Sequence, residues 1–554
     1  MSFERQNYSE FACIGSGFSA IGLGATLKRW YGKGDIRFFE RSAQLGGTWY
    51  NNQYPGCACD VPSSLYSFSF EPNAKWSRVL PLQREIWEYL YGVAAKYDIV
   101  DKMTFGVNVE KCEWIESKKR WRLRIHHYKT DNIFYHECRF LFAAAGQLVT
   151  PRDLDVEGKD TFNGPIFHSS NWISDVDLTD KNVIIIGNGC TAAQIVPAIL
   201  GKTKQLTQII RSKHWILPSI DSVYPTALKN LFGFIPGVKA LERLIVFLVA
   251  ENELRGFAMT KAGANFRRKR RTTAEKYMRE AAPKKYHEIL IPDFEVGCKR
   301  RIFDSGYLQS THSTNFELTN EKAEEIVPGG IKTKSRLIPA DVIILANGYL
   351  TNTFLHNIEV QGRQGTLTDH WASFGGAEAY NCSALSGFPN FFILLGPNAA
   401  TGHTSAILAA ENSINYALRV ISRVMASDNG VAEVKKRAEE RYVDRIQTDL
   451  EKTVWYSGCS SWYIKFNEKS GRMWNAMSYP YSQGHFWFRS VFPTWDDWSF
   501  EVRVQTSSLT EIINVNMKKQ NASDAPINKT TQLVQSLTVG LVFLFVGLFL
   551  FTPF

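Results

Sequence analysis

The sequence lacks the usual marks of several protein classes. Its nine cysteines are scattered, with no C-x-x-C pair and no Cys/His cluster at zinc spacing, which argues against a disulfide scaffold and a structural metal and points to a reducing compartment. The first residues, MSFERQNYSE, contain no apolar core of signal-peptide length, so secretion by that route is not expected. No repeat of solenoid period is visible. Charged residues make up only 21% of the chain against 44% hydrophobic, too little charge and too much apolar content for disorder. The net charge of +10 is spread over 554 residues, so it ranks anionic partners without selecting one.

The 554 residues allow several folding units at roughly 150 residues each. Leu537 to Phe554, LTVGLVFLFVGLFLFTPF, carries no charge and as a helix at about 1.5 Å per residue would span roughly 27 Å. Preceded by the polar stretch 516–536 with Lys518, Lys519 and Lys529, it reads as a linker and a single-pass C-terminal tail anchor with the remaining chain in the cytosol, the alternatives being a final core helix or a cleaved lipid-anchor signal.

Two apolar strands run into glycine turns of the form G-x-G-x-x-G/A. In FACIGSGFSAIG, Gly15 permits the turn, Gly17 lets backbone approach a pyrophosphate, and Ala20 lets the helix pack on the strand. The next strand, IRFFE, ends at Glu40, placed to accept hydrogen bonds from ribose hydroxyls. The second copy, NVIIIGNGCTAAQIV, repeats the pattern with Gly187, Gly189 and Ala192. Its following strand ends in Arg211 and Ser212 instead of an acid, which suits a 2′-phosphate and favours NADP over NAD. RFLFAAAGQ and ADVIILANGY read as further sheet strands.

The fold expected is therefore α/β: two Rossmann-like dinucleotide-binding domains, an inserted helical subdomain and a C-terminal hydrophobic helix. The FAD-binding part is assigned to residues 1–150 and 376–515, the NADP-binding part to 165–220 and 293–375, and the helical insertion to 221–292. Within the insertion the run Arg267 to Arg271 reads as a solvated helix face.

Such a chain resembles the two-dinucleotide flavoproteins. It is not a disulfide reductase by pattern, because GGTWYNNQYPGCACD has Trp49 where the first redox cysteine would stand. Gly46, Gly47, Trp49, Tyr54, Pro55, Gly56 and Asp60 resemble the G-G-x-W-x-x-x-x-[FY]-P-G-x-x-x-D signature of type I Baeyer–Villiger monooxygenases. Phe162, Gly164, His168 and Trp172 match that family's F-x-G-x-x-x-H-x-x-x-W fingerprint, with Ile173 where Pro or Asp is usual. The resemblance extends from about residue 8 to 500 and includes VGCKRR.

The resemblance implies FAD and NADPH as cofactors, with Gly47, Thr48, Trp49 and Asp60 at the flavin and Lys299 at the NADP phosphate; Asn398 is placed at the flavin because the apolar strand FFILLGPN runs into a helix N-terminus, which would stabilise negative charge there. It implies that Arg300, oriented by Asp60, is catalytic: a fixed cation keeps the flavin C4a-peroxide anionic for attack on a ketone and stabilises the oxyanion of the adduct. His168 and Trp172 are assigned to coupling between domains. The expected reaction converts a lipophilic ketone and O₂ to an ester or lactone, in the manner of fungal biosynthetic members, with no nucleic acid and no metal involved. An N- or S-oxidising flavin monooxygenase and a non-catalytic flavin-fold scaffold are the alternatives; Trp172 and the Asp60/Arg300 pair speak against the first, and NADPH turnover would exclude the second.

Overall fold

The computed structural model describes residues 7–502 except 236, 352–353, 356 and 469–470. The linker and tail-anchor assignments at 516–536 and 537–554 lie outside the described residues. Among those described, no helix is long and apolar enough to cross a membrane. The compact body ends at Glu501.

Tyr8–Ile14 is an interior strand of a nine-stranded sheet, parallel to Ile36–Glu40 on one side and Asn132–Ala143 on the other. Phe11, Ala12 and Cys13 are fully buried, as expected for a strand covered on both faces. Helix Phe18–Tyr31 follows, starting at Gly17 and stopping at Gly32, whose φ of 62° supplies the left-handed cap. It packs against helix Ala406–Ser422, and Phe391–Ile393 pairs in parallel with Asn132–Ala143, so residues near 400 return to the sheet begun by the N-terminus.

A second sheet is entirely parallel and has five strands, in the order Phe316–Thr319, Gln205–Ile209, Asn182–Ile186, Val342–Leu345, Ile166–His168. Helix Cys190–Ile199 follows the central strand of this sheet. The two Rossmann-like sheets confirm the α/β architecture.

Between the second sheet's strands run helices Thr226–Phe234, Val238–Asn252 and Lys261–Ala281. The basic run on the last of these is not uniformly solvated. Arg267 is 3% exposed, donating from Nε to Glu295 (2.8 Å) and from Nη1 to the carbonyls of Gly256 (3.0 Å) and Ala258 (2.8 Å). Its helical phase with the buried residues Gly263, Ala274 and Met278 puts it on the inner face, which a run of five basic residues conceals.

His370 joins helix Leu367–Phe374 to two buried carboxylates, its Nε2 lying 3.0 Å from Glu378 Oε1 and 3.1 Å from Glu439 Oε1. Burial opposes the imidazolium, but the two carboxylates outweigh it and raise the pKa to about 9, while burial pushes the Glu378 carboxyl upward as well. Both groups hold protons more tightly in the folded state than an ordinary histidine (about 6.5) or glutamate (about 4.3) in an unfolded chain. Their stabilisation is therefore complete at acid pH and lost as pH rises through the folded values. We expect the unfolding temperature to fall between pH 7 and 9.5 and Glu378→Gln to flatten that fall; a variant as alkali-sensitive as the parent would assign the loss to other groups.

Candidate active site

The first glycine turn is shaped by what a side chain would strike. Gly15 has φ of 102°, and a Cβ there would lie 2.6 Å from the Ala144 carbonyl oxygen. Gly17 approaches Gly47 closely enough that a Cβ on Gly47 would lie 3.1 Å from the Gly17 Cα. Ala20 is fully buried against the sheet. Glu40 sits beside this turn, where one carboxylate oxygen accepts from the Ser16 N–H (2.9 Å) and hydroxyl (2.8 Å), and the other from the Ser42 N–H (2.7 Å). These contacts fix the acid and leave acceptor capacity for a ribose hydroxyl.

Thr48 and Trp49 begin the short helix Thr48–Asn51, and Trp49 Nε1 donates to Tyr66 Oη (3.1 Å). The segment that follows packs on helix Cys190–Ile199. Tyr54 Oη donates to Gln194 Oε1 (2.9 Å), Gln194 Nε2 donates to the Ala58 carbonyl (3.0 Å), and Gly56, at φ of 80°, passes so near that a Cβ would lie 2.5 Å from the Gln194 carbonyl oxygen. That contact explains Tyr54 and Gly56 physically: the loop from the first half must lie flat on the helix of the second.

The second turn repeats the first. Gly187 has φ of 134°, and a Cβ would lie 2.2 Å from the Ala346 carbonyl oxygen. Gly189 begins the helix, with nothing within 4 Å of where a Cβ would stand, and Ala192 is fully buried. Asn188 Nδ2 donates to the Ser212 carbonyl (3.1 Å), holding the Arg211–Ser212 loop against the turn. Lys299 Nζ lies 3.5 Å from the Lys213 carbonyl. Burial, and then the like charge of Arg211, push the Lys299 ammonium down from its ordinary value. Two cations held together against their own repulsion form a natural seat for a phosphate. The two cradles, one with an acid and one with paired cations at its ribose end, fit FAD and NADP respectively.

Asp60 and Arg300, 240 residues apart, meet in a two-pronged ion pair: Nε donates to Oδ2 (2.7 Å) and Nη2 to Oδ1 (2.6 Å). Burial opposes the Asp60 charge, but the guanidinium holds the carboxyl below its usual range, and the carboxylate in turn keeps Arg300 protonated. Cys190, first residue of the second dinucleotide helix, places Sγ 3.8 Å from Asp60 Oδ2. Its thiol is pushed up to about 12 by burial and by the Asp60 charge, so it touches the pair as an inert neutral group.

The fingerprint residues are spread along the join between the sheets. A Cβ on Gly164 would lie 2.0 Å from the Asp341 carbonyl oxygen, Phe162 packs beside the second sheet, and Trp172 meets Phe167 edge-on at 5.2 Å. His168 Nδ1 accepts from the Ser170 N–H (3.1 Å), so Nε2 carries the proton and donates to the Gly348 carbonyl (3.1 Å). Burial lowers its pKa, keeping the ring neutral. The ring stands edge-on to Tyr349 at 5.2 Å, and Tyr349 Oη donates to Asn52 Oδ1 (2.8 Å) next to the G-G-x-W loop. Asn398 is buried at φ of 60° and gives its amide protons to the carbonyls of Asn475 (2.7 Å) and Ser478 (3.1 Å), which ties down the segment after Trp474.

With this geometry established, likeness to known proteins is informative. Residues 13–81 match the NAD(P)-binding Rossmann-like domain family, and residues 62–223 match L-lysine 6-monooxygenase/L-ornithine 5-monooxygenase. A Baeyer–Villiger monooxygenase of Pseudomonas aeruginosa is 33% identical over 460 residues, covering 82% of this chain and 85% of the relative. The chain belongs to the Baeyer–Villiger monooxygenase family. An FAD-binding monooxygenase of Aspergillus terreus, tazF, is 30% identical over 86% of both chains. The crystal structure of OTEMO in complex with FAD and NADP superposes with a TM-score of 0.76 at 25% identity, covering 89% of this chain and 99% of that one. Membership makes the chain an enzyme and places both glycine cradles in a monooxygenase.

Gln194, Cys190, Tyr349 and Asn52 were not singled out in the sequence, because each acts through a partner far along the chain. The same holds for a disulfide between Cys298 and Cys459, separated by 161 residues, which departs from the reducing-compartment reading of the cysteines. It links the Lys299–Arg300 segment to the turn before Trp462. Neither cysteine has a local spacing that announces a bridge.

Two outcomes follow from this geometry. Arg211→Ala should raise KM for NADPH roughly ten-fold, the loss of one charge-assisted phosphate contact, and leave KM for NADH nearly unchanged in steady-state assays. Cys459→Ser should cost about 2–4 kcal/mol of stability in denaturant titration without reductant, with dithiothreitol reproducing the loss in the parent and adding nothing in the variant.

Proposed function

We propose that this enzyme is an NADPH- and O₂-dependent monooxygenase that inserts one oxygen atom beside the carbonyl of a lipophilic ketone, giving an ester or lactone. The two-pronged Asp60–Arg300 pair carries the reading, since it places a permanent cation where the loop of one cradle meets the helix of the other. FAD, when bound, supplies the oxygen-activating redox chemistry, and NADPH supplies the hydride.

The chain's own residues supply position and charge. Glu40 is set to take the flavin-side ribose, while Arg211 and Lys299 hold the 2′-phosphate of the nicotinamide dinucleotide. Arg300 presents a guanidinium that does not titrate in the working range, and Asp60 fixes the plane of its donors. Such a group stabilises negative oxygen as it develops on an attacked carbonyl, a task for a preorganised cation. His168, neutral and occupied at both ring nitrogens, couples the fingerprint strand to Tyr349 and Asn52 and transfers no proton.

The apolar run Leu537–Phe554 supports a tail anchor in the endoplasmic reticulum, and an anchored enzyme suits a lipophilic substrate. A place in secondary-metabolite biosynthesis is supported by the resemblance to fungal biosynthetic members and by the Aspergillus relatives.

Arg300→Ala tests the central role. The variant should still be reduced by NADPH at close to the parental rate in anaerobic stopped flow, and should lose ester or lactone formation by roughly 10²-fold or more, as for removal of an oxyanion donor. Undiminished product formation would overturn the assignment.

A further inference from the structure

Helix Val238–Asn252 is oriented against the usual rule for a surface helix. Its polar side chains face the protein: Lys239 is 8% exposed and pairs with Glu242 (2.7 Å), Arg243 Nη1 donates to the carbonyls of Ser64 (2.6 Å) and Ser67 (3.0 Å), and Glu251 Oε1 accepts from Gln483 N–H (3.0 Å) and lies 2.8 Å from His403 Nε2. Three of its apolar side chains face outward, while Leu244, Val246, Phe247 and Leu248 are half-buried. Leu241, Ile245 and Val249, at i, i+4 and i+8, are 56%, 54% and 65% exposed. The preceding helix Thr226–Phe234 adds Leu231 at 39% and Phe234 at 81%, and Ile235 follows at 49%.

Single exposed leucines need no explanation, but an aligned stripe on a helix whose ionic face is committed inward does. The hydrogen bonds from Arg243 to Ser64 and Ser67 and the contacts of Glu251 with His403 and Gln483 would have to break for the helix to roll over, so the stripe is held in water by the fold. We propose that this face is a bilayer-docking surface, with Leu241, Ile245, Val249 and Phe234 entering the headgroup–acyl boundary. The same insertion exposes Lys261, Arg268 and Lys269, cations that favour anionic headgroups.

The occupant is chosen by the rest of the chain. Beyond the described body, the linker 516–536 leads to the uncharged run 537–554, and at about 3.3 Å per residue its reach is at most roughly 70 Å, ample for the body to lie on the membrane that holds the tail. A tethered body needs only weak docking, because the tether makes the second contact intramolecular. This inference rests on the tail-anchor reading given above, and it adds that the anchored enzyme lies down on the bilayer through a defined face.

The test uses the full chain reconstituted in vesicles of phosphatidylcholine and phosphatidylserine, with a photoreactive diazirine amino acid at position 245 or 249, and at exposed Tyr135 as control. Lipid adducts at 245 and 249 should exceed those at 135 by roughly ten-fold, as for a helix seated in the interface. Leu241→Glu/Ile245→Glu/Val249→Glu should abolish protection of the 238–252 amides from hydrogen exchange in the presence of vesicles and leave NADPH oxidation unchanged. Adducts to a second copy of the chain, adducts to residues 503–554, or equal labelling by solvent at all three positions would each overturn the proposal. Alkaline carbonate extraction reads the tail separately: release of the parent chain would refute the anchor, while the lipid adducts still judge the face.

Discussion

The Asp60–Arg300 pair is the interaction on which the site depends. Its members come from the loop after the first dinucleotide turn and from the segment after the helical insertion, so the pair exists only when both halves of the body are assembled. With the Arg300 side chain 41% exposed and that of Asp60 23%, solvent screens the pair and its contribution to folding is small. Its worth is positional. Two parallel N–H···O bonds leave the guanidinium no freedom to swing, and a single hydrogen bond would not give that constraint. The pair is held at the start of helix Cys190–Ile199, where Cys190 presses on Asp60, so the helix of the second cradle and the acid of the first loop are in register.

Backbone proximity explains most of the remaining pattern. Gly15, Gly56, Gly164 and Gly187 each pass a carbonyl oxygen that any Cβ would strike, at 2.0 to 2.6 Å. Two of these contacts lie in the dinucleotide turns; the other two hold the G-G-x-W loop on the second helix and the fingerprint strand on its neighbour. The signature residues are thus mostly a record of close packing between the two halves. Neutral His168 belongs to the same scheme, since its ring stands against Tyr349, whose hydroxyl donates to Asn52 beside the G-G-x-W loop.

What was legible in the sequence follows from the range of each signal. The strands before Gly15 and Gly187 were readable because burial on both faces makes a continuous apolar run, and the glycines because a local turn demands them. Glu40 and Arg211 were readable from their distance to those turns. Gln194, Tyr349 and the Cys298–Cys459 bridge were not, because their meaning lies in a contact more than a hundred residues away. Asn398 shows the converse: read beside the flavin from the strand-to-helix turn that carries it, its side-chain amide is engaged by the carbonyls of Asn475 and Ser478, a packing demand far along the chain and invisible without the fold.

The helical insertion marks the sharpest limit of periodicity. A stripe at i, i+4 and i+8 establishes that a helix has an apolar side, but the pattern has no sign: it does not say whether that side faces the protein or the surroundings. The usual inference supplies the sign by assuming that the core is the only apolar phase available. In Val238–Asn252 the sign is set by Arg243 and Glu251, which find their partners in Ser64, Ser67, His403 and Gln483, all distant in sequence. A folded body that commits a helix's charges inward exposes its hydrocarbon outward, and that arrangement is stable without penalty only where a second apolar phase lies against the surface.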